Sequence, residues 1–539
     1  MLLIVLVAVM GLGAFASLMA TPRHTLLGLV AGLAPALALL LVLLPLPLPS
    51  EAVLAWSPKL LFPEPLSFAT GPVSKAFAVD LLLLLLAIEW TGVGRRPLRR
   101  AARASVFFLA AAGLAALFAS NGLALVLSWA WVDLISFAEP ILLRPVQAEG
   151  AETTLPAPGA AWAVNSFAFN LLSTFLLLLA FLPELTLRGM GFGALGGAGL
   201  NSVAAAAFLG AIVLRLGVLP WQMTLAPAGS QAGGLDVLLR LLSPFIALAT
   251  LARVWPGQPN LAPNSPVLAW IIVLSTLAIF LASVGWWVST DPRNGRGILI
   301  LGLLALAGIA AARGQASVPV LEAAGGLVLL GGGVLLLYRG QGTWQRWSVF
   351  WPVCLALILA GAPLTAGSVL GQGAFQALRM HGVTAVALVT AAGEMFLIAT
   401  TLRIAFLPGE DLPLGERTVW FVHYAGLTIL VAGLVAGTFG GALADLRHAP
   451  VPALLLFAAE ATGGALLARA GSRLRGPGQQ AFGAIERVLQ LDWLWRAIAS
   501  GARALLRAIR LADQLLSGEG ALLWALGISI LIWILLRGG

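Results

Sequence analysis

Arg215-Leu-Gly-Val-Leu-Pro220-Trp221-Gln222 ends an apolar run that begins at Val203. An ionisable side chain at bilayer depth is costly, and it marks a functional-site candidate by default. Directly after it, Pro220 and the non-helical stretch Ala226–Gly234 interrupt the backbone before Asp236 starts the next helix. Irregular backbone at membrane depth is tolerated only where protein or water lines it. A second interruption, Ala360-Gly-Ala-Pro363-Leu-Thr-Ala-Gly367, falls in the middle of a later apolar segment. Two broken helices in corresponding places of two halves point to a transporter built from inverted repeats.

The surroundings of these breaks are apolar almost throughout. The chain is 60% hydrophobic and only 10% charged. About 20 apolar residues cross a bilayer core, and roughly 15 or 16 such segments recur from Leu2–Ala20 to Ala521–Leu536. Helices satisfy their own backbone hydrogen bonds in lipid, and no alternating pattern supports a barrel. The expected fold is therefore an all-α polytopic membrane protein. Met1–Ala20 lacks a basic leader and a cleavage site, and reads as the first span.

Charge is sparse and largely arginine: the only lysines are Lys59 and Lys75, both outside the apolar segments. The net charge of +9 reads as positive-inside bias and gives no sign of nucleic-acid binding. With the N-terminus outside, the inner connections receive Arg23, the cluster Arg95, Arg96, Arg99, Arg100 and Arg103, then Arg144, Arg293, Arg296, Arg339, Arg346, Arg403, Arg417, Arg469, Arg473 and Arg475. The outer side receives Lys59, Lys75, Arg188, Arg253, Arg313, Arg379, Arg447 and Arg537. A lone Cys354 and scattered histidines offer neither a disulfide framework nor metal-ligand spacing. No nucleotide fingerprint is present, so neither cofactor nor metal is expected.

Organisation follows the spans. Residues 1–75 hold the first helices and an outer connection, 76–254 a first half, 255–407 a second half, and 408–478 further helices. Between Gln479 and Ser517 the pattern turns amphipathic, with Arg496, Arg503, Arg507 and Arg510 at helical spacing. Residues 479–518 are expected to lie in the membrane interface, and 519–539 to form a terminal anchor. The longest polar connections expected are Pro49–Lys75 and Arg144–Ala161.

The Arg215–Gln222 stretch resembles a motif of the proton-translocating antiporter-like subunits of complex I, of the multisubunit cation/proton antiporters and of the energy-converting membrane hydrogenases. There a buried lysine precedes a proline by five residues, and Arg215 occupies its place. Arg240, in Leu-Leu-Arg240-Leu-Leu-Ser, falls where the family carries the next helix's Lys or His. Ser128-Trp129-Ala130-Trp131-Val132-Asp133 resembles the family's Trp-Glu helix, and Ser289-Thr-Asp291-Pro-Arg293 its Asp-x-Lys/Arg loop. Leu321-Glu322-Ala-Ala-Gly-Gly326 resembles the Leu-His-Ala-x-x-Lys helix, and the Pro363 break the helix that bears the last lysine. These matches cover roughly residues 76–407, in the family's order.

The departures bear on chemistry. The family's glutamate is Ala130, with Asp133 one turn later; its lysines are Arg215, an absent residue near Gly326, and Gly371. A proton relay needs groups that gain and lose a proton at working pH. Arginine stays protonated, so Asp133 with Arg215 is expected to act as a clamp. Titratable candidates in apolar surroundings are Asp80, Glu89, Asp133, Glu139, Glu322, Glu394, Glu460 and His423, with Glu322 and Glu394 in the half without lysines. Trp286, Trp287, Trp344 and Trp347 read as interfacial belt residues.

The resemblance implies a non-catalytic membrane subunit of an NADH-quinone-oxidoreductase-like or related complex, in a bacterial inner membrane, with other membrane subunits and lipid as partners. It would take part in proton or cation translocation. A non-conducting paralogue that scaffolds the membrane arm is the alternative. A polytopic lipid-linked transferase is disfavoured, because no large outer loop carries carboxylate or metal motifs.

Overall fold

The computed structural model describes residues 1–19, 32–45, 49, 51–54, 65–92, 100–142, 158–182, 202–217, 234–254, 266–288, 296–313, 318–338, 348–370, 384–406, 417–445, 454–471 and 500. It comprises two compact units, Met1–Arg475 and Gly476–Gly539. Of the second, only Ser500 is described, so the expected amphipathic helix and terminal anchor lie outside the described residues.

Among its described residues the first unit is helical almost throughout. Its helices are α1 (Leu2–Met19), α2 (Leu33–Leu43), α3 (Pro72–Gly92), α4 (Arg100–Phe118), α5 (Gly122–Leu142), α6 (Pro158–Ala180), α7 (Ser202–Leu216) and α8 (Gly234–Val254). They continue with α9 (Pro266–Val288), α10 (Arg296–Arg313), α11 (Val318–Leu337), α12 (Phe350–Leu359), α13 (Thr384–Ala405), α14 (Arg417–Asp445) and α15 (Leu454–Gly471). Among the described residues eight helices are long and apolar enough to cross a bilayer, and further apolar helices such as α2, α7 and α12 are shorter. Helix α3 misses a purely apolar reading because Lys75, Asp80 and Glu89 all lie on it. Lys75 thus belongs to its first turn, and not to the preceding connection as expected.

Helices α8 and α11 form the centre, with α3, α10 and α14 packed around them. The approach is close because small residues leave room for a neighbour. A Cβ on Gly332 of α11 would sit 2.8 Å from a Leu241 methyl of α8, and one on Gly333 would sit 2.7 Å from a Leu84 methyl of α3. Directly before these glycines α11 carries a π-helical stretch, Leu327–Gly331, an irregularity that recurs at functional sites.

The expected interruption at Pro363 is present as a defined structure. Helix α12 ends in a Schellman motif: Ala362 N donates to Leu357 O and Gly361 N to Ile358 O, both at 3.0 Å, with Gly361 at φ +85°. Leu364 also adopts a positive φ, 65°. Helical backbone resumes over residues 366–370. There Gly367 passes so close to the end of α12 that a Cβ would fall 1.6 Å from Ile358 O. The other interruption, Pro220 with Trp221 and Gln222, lies outside the described residues; α7 ends at Leu216 and α8 already begins at Gly234.

One connection differs from expectation. Pro49–Lys75 contains an antiparallel hairpin, β1 (Glu51–Leu54) paired with β2 (Leu66–Ala69) in the register Glu51 to Ala69. It is fastened to the turn between α4 and α5. Ser120 N donates to Ser67 O at 3.0 Å, and the two serine hydroxyls bond at 2.7 Å. Asn121 caps α5 by accepting from Ala124 N at 3.0 Å while its amide donates to Pro65 O at 2.7 Å.

Candidate functional site

Three neighbouring helices bring polar groups to one dry place. Asp133 comes from α5, Thr174 from α6 and Arg215 from the last turn of α7. Helix α6 packs against both others, and Ser173 donates to the Ala211 carbonyl at 2.7 Å, fixing α6 against α7. Arg215 Nη2 bonds Asp133 Oδ1 directly. Arg215 Nη1 donates to Thr174 Oγ1 at 3.1 Å, and that hydroxyl donates to Asp133 Oδ2 at 2.7 Å. Both aspartate oxygens are therefore engaged, one by the guanidinium and one by a hydroxyl that itself accepts from the guanidinium.

Trp129, one turn before Asp133 on α5, completes the enclosure. Its indole lies under the guanidinium, 4.0 Å from ring centre to Cζ, and its carbonyl accepts from Nη2 at 3.4 Å. The ring face favours the cation electrostatically. Asp133 and Arg215 are each only 1% exposed, so water does not screen the pair. Arg215 Nε, Trp129 Nε1 and Asn170 Oδ1 are buried without a hydrogen-bond partner among the described residues. The threonine carries no sequence signal: a hydroxyl within an apolar helix looks like any other helix-packing residue.

The other expected positions form separate groups. Arg240 is buried near the start of α8 and its Nε donates to Asp236 Oδ1 one turn earlier, at 3.0 Å. Glu322 is half-buried in the first turns of α11 and lies within electrostatic reach of Asp80 on α3. Glu394 of α13 is half-buried and lies within electrostatic reach of the buried Glu460 of α15. Glu89 of α3 faces Arg103 of α4 at 3.2 Å, and His423 of α14 approaches the Thr91 carbonyl at 3.3 Å. Buried cations thus meet acids on α3 to α8, whereas the carboxyl-on-carboxyl pairs involve α11 with α3 and α13 with α15.

The tryptophan reading needs correction. Trp286 and Trp287 are buried at 0% and 5% exposure, and they end α9 against α13 and α15 instead of facing lipid. Trp287 Nε1 donates to the Leu467 carbonyl of α15 at 3.3 Å. The indole N–H finds a protein partner, which an apolar lipid face would not supply. Trp344 and Trp347 lie outside the described residues.

Fold and charge together define the class: an all-α polytopic membrane protein with an interrupted helix and a buried, helix-bridging ion pair. The same fold is found in solved membrane complexes. A chain in the structure of the Mrp complex from Dietzia sp. DQ12-45-1b is similar over 100% of this chain and 63% of its own length, with a TM-score of 0.74 and 16% identity. This protein thus spans less than two thirds of that chain. A chain of the membrane-bound sulfane sulfur reductase, described as an archaeal respiratory membrane complex, matches over 99% of this chain and 100% of its own, with a TM-score of 0.69 and 15% identity. No family model and no curated protein matches the chain. At these identities the likeness is one of fold.

Proposed function

We propose that this chain is an antiporter-like membrane subunit of a multisubunit, ion-translocating respiratory-type complex, with other membrane subunits and the bilayer as its partners. In this reading the Asp133–Arg215 pair is a fixed brace, and protons move through the carboxyl pairs. The observation that carries it is the division of buried charge. Asp133 has both oxygens occupied beside a cation that does not release its proton. Glu394 of α13 and Glu460 of α15 stand beside one another, two titratable carboxyl groups brought together by neighbouring helices. A carboxyl pair of that kind can take up and pass on a proton without a lysine. Asp80 and Glu322, beside the π-helical stretch of α11, offer a second such place. The N-terminus lies outside a bacterial inner membrane in this reading, and no nucleic acid takes part.

The test is proton uptake by liposomes holding the intact complex. Glu394→Gln keeps a polar side chain of the same size beside Glu460 but cannot take up or release a proton. It is expected to leave the complex assembled and cut uptake at least tenfold. The second reading, a non-conducting scaffold, is favoured by one specific observation: the cation at the resemblance's first lysine position is Arg215. Unchanged uptake in Glu394→Gln and Glu322→Gln alike would select that reading.

A further inference from the structure

Arg253 stands in the last turn of α8 and Arg403 in the last turn of α13. Arg253 Nη1 donates to the carbonyls of Ala116 at 3.2 Å and Leu117 at 2.6 Å. These belong to the last turn of α4, which ends at Phe118. Arg403 Nη1 donates to the carbonyls of Trp286 at 3.2 Å and Trp287 at 3.0 Å, in the last turn of α9, which ends at Val288. The register is the same in both. Each arginine takes the carbonyls one and two residues before the end of its partner helix. Each partner is the fifth helix counted back from the arginine's own, inclusive, so α4 stands to α8 as α9 stands to α13.

The chemistry of the contact is also the same. The final carbonyls of a helix have no intrahelical donor, and the helix C-terminus carries negative partial charge. A guanidinium there satisfies both demands. At α9 its carbon additionally lies 5.4 Å from the Trp286 ring centre. The Arg253 contact thus joins the C-terminal ends of α4 and α8, and the Arg403 contact those of α9 and α13.

We propose that Arg253 and Arg403 are equivalent clasps, each closing one five-helix unit, α4–α8 or α9–α13, by tying the end of its last helix to the end of its first. Each clasp holds the frame of its unit at the C-terminal ends of the unit's first and last helices. Within the second frame the interrupted α12 packs against α13, so the clasp limits how far α12 can be uncovered. This device belongs to the fold and does not depend on which ion moves.

Cys354, half-buried on α12, is the only cysteine of the chain and reports on it directly. Its labelling by a membrane-permeant maleimide is followed by mass spectrometry of this chain in the intact, membrane-embedded complex. Arg403→Gln is expected to speed labelling roughly two- to tenfold, the change that one net hydrogen bond makes in a local opening equilibrium. Arg253→Gln, in the other unit, is expected to leave Cys354 at the wild-type rate while lowering the melting temperature of the complex. Should Arg403→Gln fail to accumulate, Arg403→Met removes the donors while keeping an apolar stem, and carries the same expectation. A wild-type labelling rate in the folded Arg403 variant overturns the clasp, and so does an equal acceleration by the Arg253 variant.

Discussion

Asp133 and Arg215 set the energetics of the first half. Removing one member of a buried ion pair strands the other, at about 3–5 kcal/mol. Asp133→Ala is therefore expected to lower stability by that order, read as an earlier thermal transition of the purified complex. Thr174→Val keeps the shape but leaves Asp133 Oδ2 without its donor, and about 1–3 kcal/mol of destabilisation is expected from the unpaired buried acceptor. Arg215 was legible in the sequence because a permanent charge inside an apolar run stands out, and so was Asp133, one turn from its tryptophan. Their contact also depends on α6, and Thr174 was not legible, since a hydroxyl within an apolar helix has neither charge nor periodicity to mark it. Glu394 and Glu460 were visible as isolated acids. That they meet is a property of α13 and α15 packing together, which no spacing within one segment records.

At the level of elements, α12 is held open by two glycines that do different things. Gly361 supplies a left-handed turn, where a side chain costs about 1–2 kcal/mol. Gly367 supplies bare backbone against the Ile358 carbonyl, where a Cβ would lie 1.6 Å away. Gly367→Ala is expected to be the more damaging change, forcing α12 and residues 366–370 apart, and to reduce the yield of folded protein more than Gly361→Ala in a fluorescence-detected size-exclusion assay. Equal yields would show that the close approach is relieved elsewhere. This break was legible because proline and glycine act locally. The hairpin β1–β2 was not: its strands are four residues each and take their fixing from Ser120 and Asn121, far along the chain. The π-helical stretch of α11 was equally hidden, because Leu327–Gly331 reads as ordinary apolar helix.

Across the whole molecule, buried charge falls into two kinds of pairing. Between α3 and α8, Glu89, Asp133 and Asp236 each meet an arginine, while α11 and α13 bring carboxyl groups towards other carboxyl groups on α3 and α15. The succession of apolar helices and the interruption at Pro363 could be read from hydropathy and proline, because both are properties of single segments. The pairing of charges between segments had to come from packing. The most direct test removes the brace without leaving a stranded charge: the double variant Asp133→Leu with Arg215→Met, assembled into the complex and measured for proton uptake in liposomes. Apolar replacement of a buried pair is often tolerated, so the complex should assemble, and uptake within about twofold of wild type is expected. Loss of uptake from a fully assembled double variant would contradict it, and would make Asp133 and Arg215 part of the ion path.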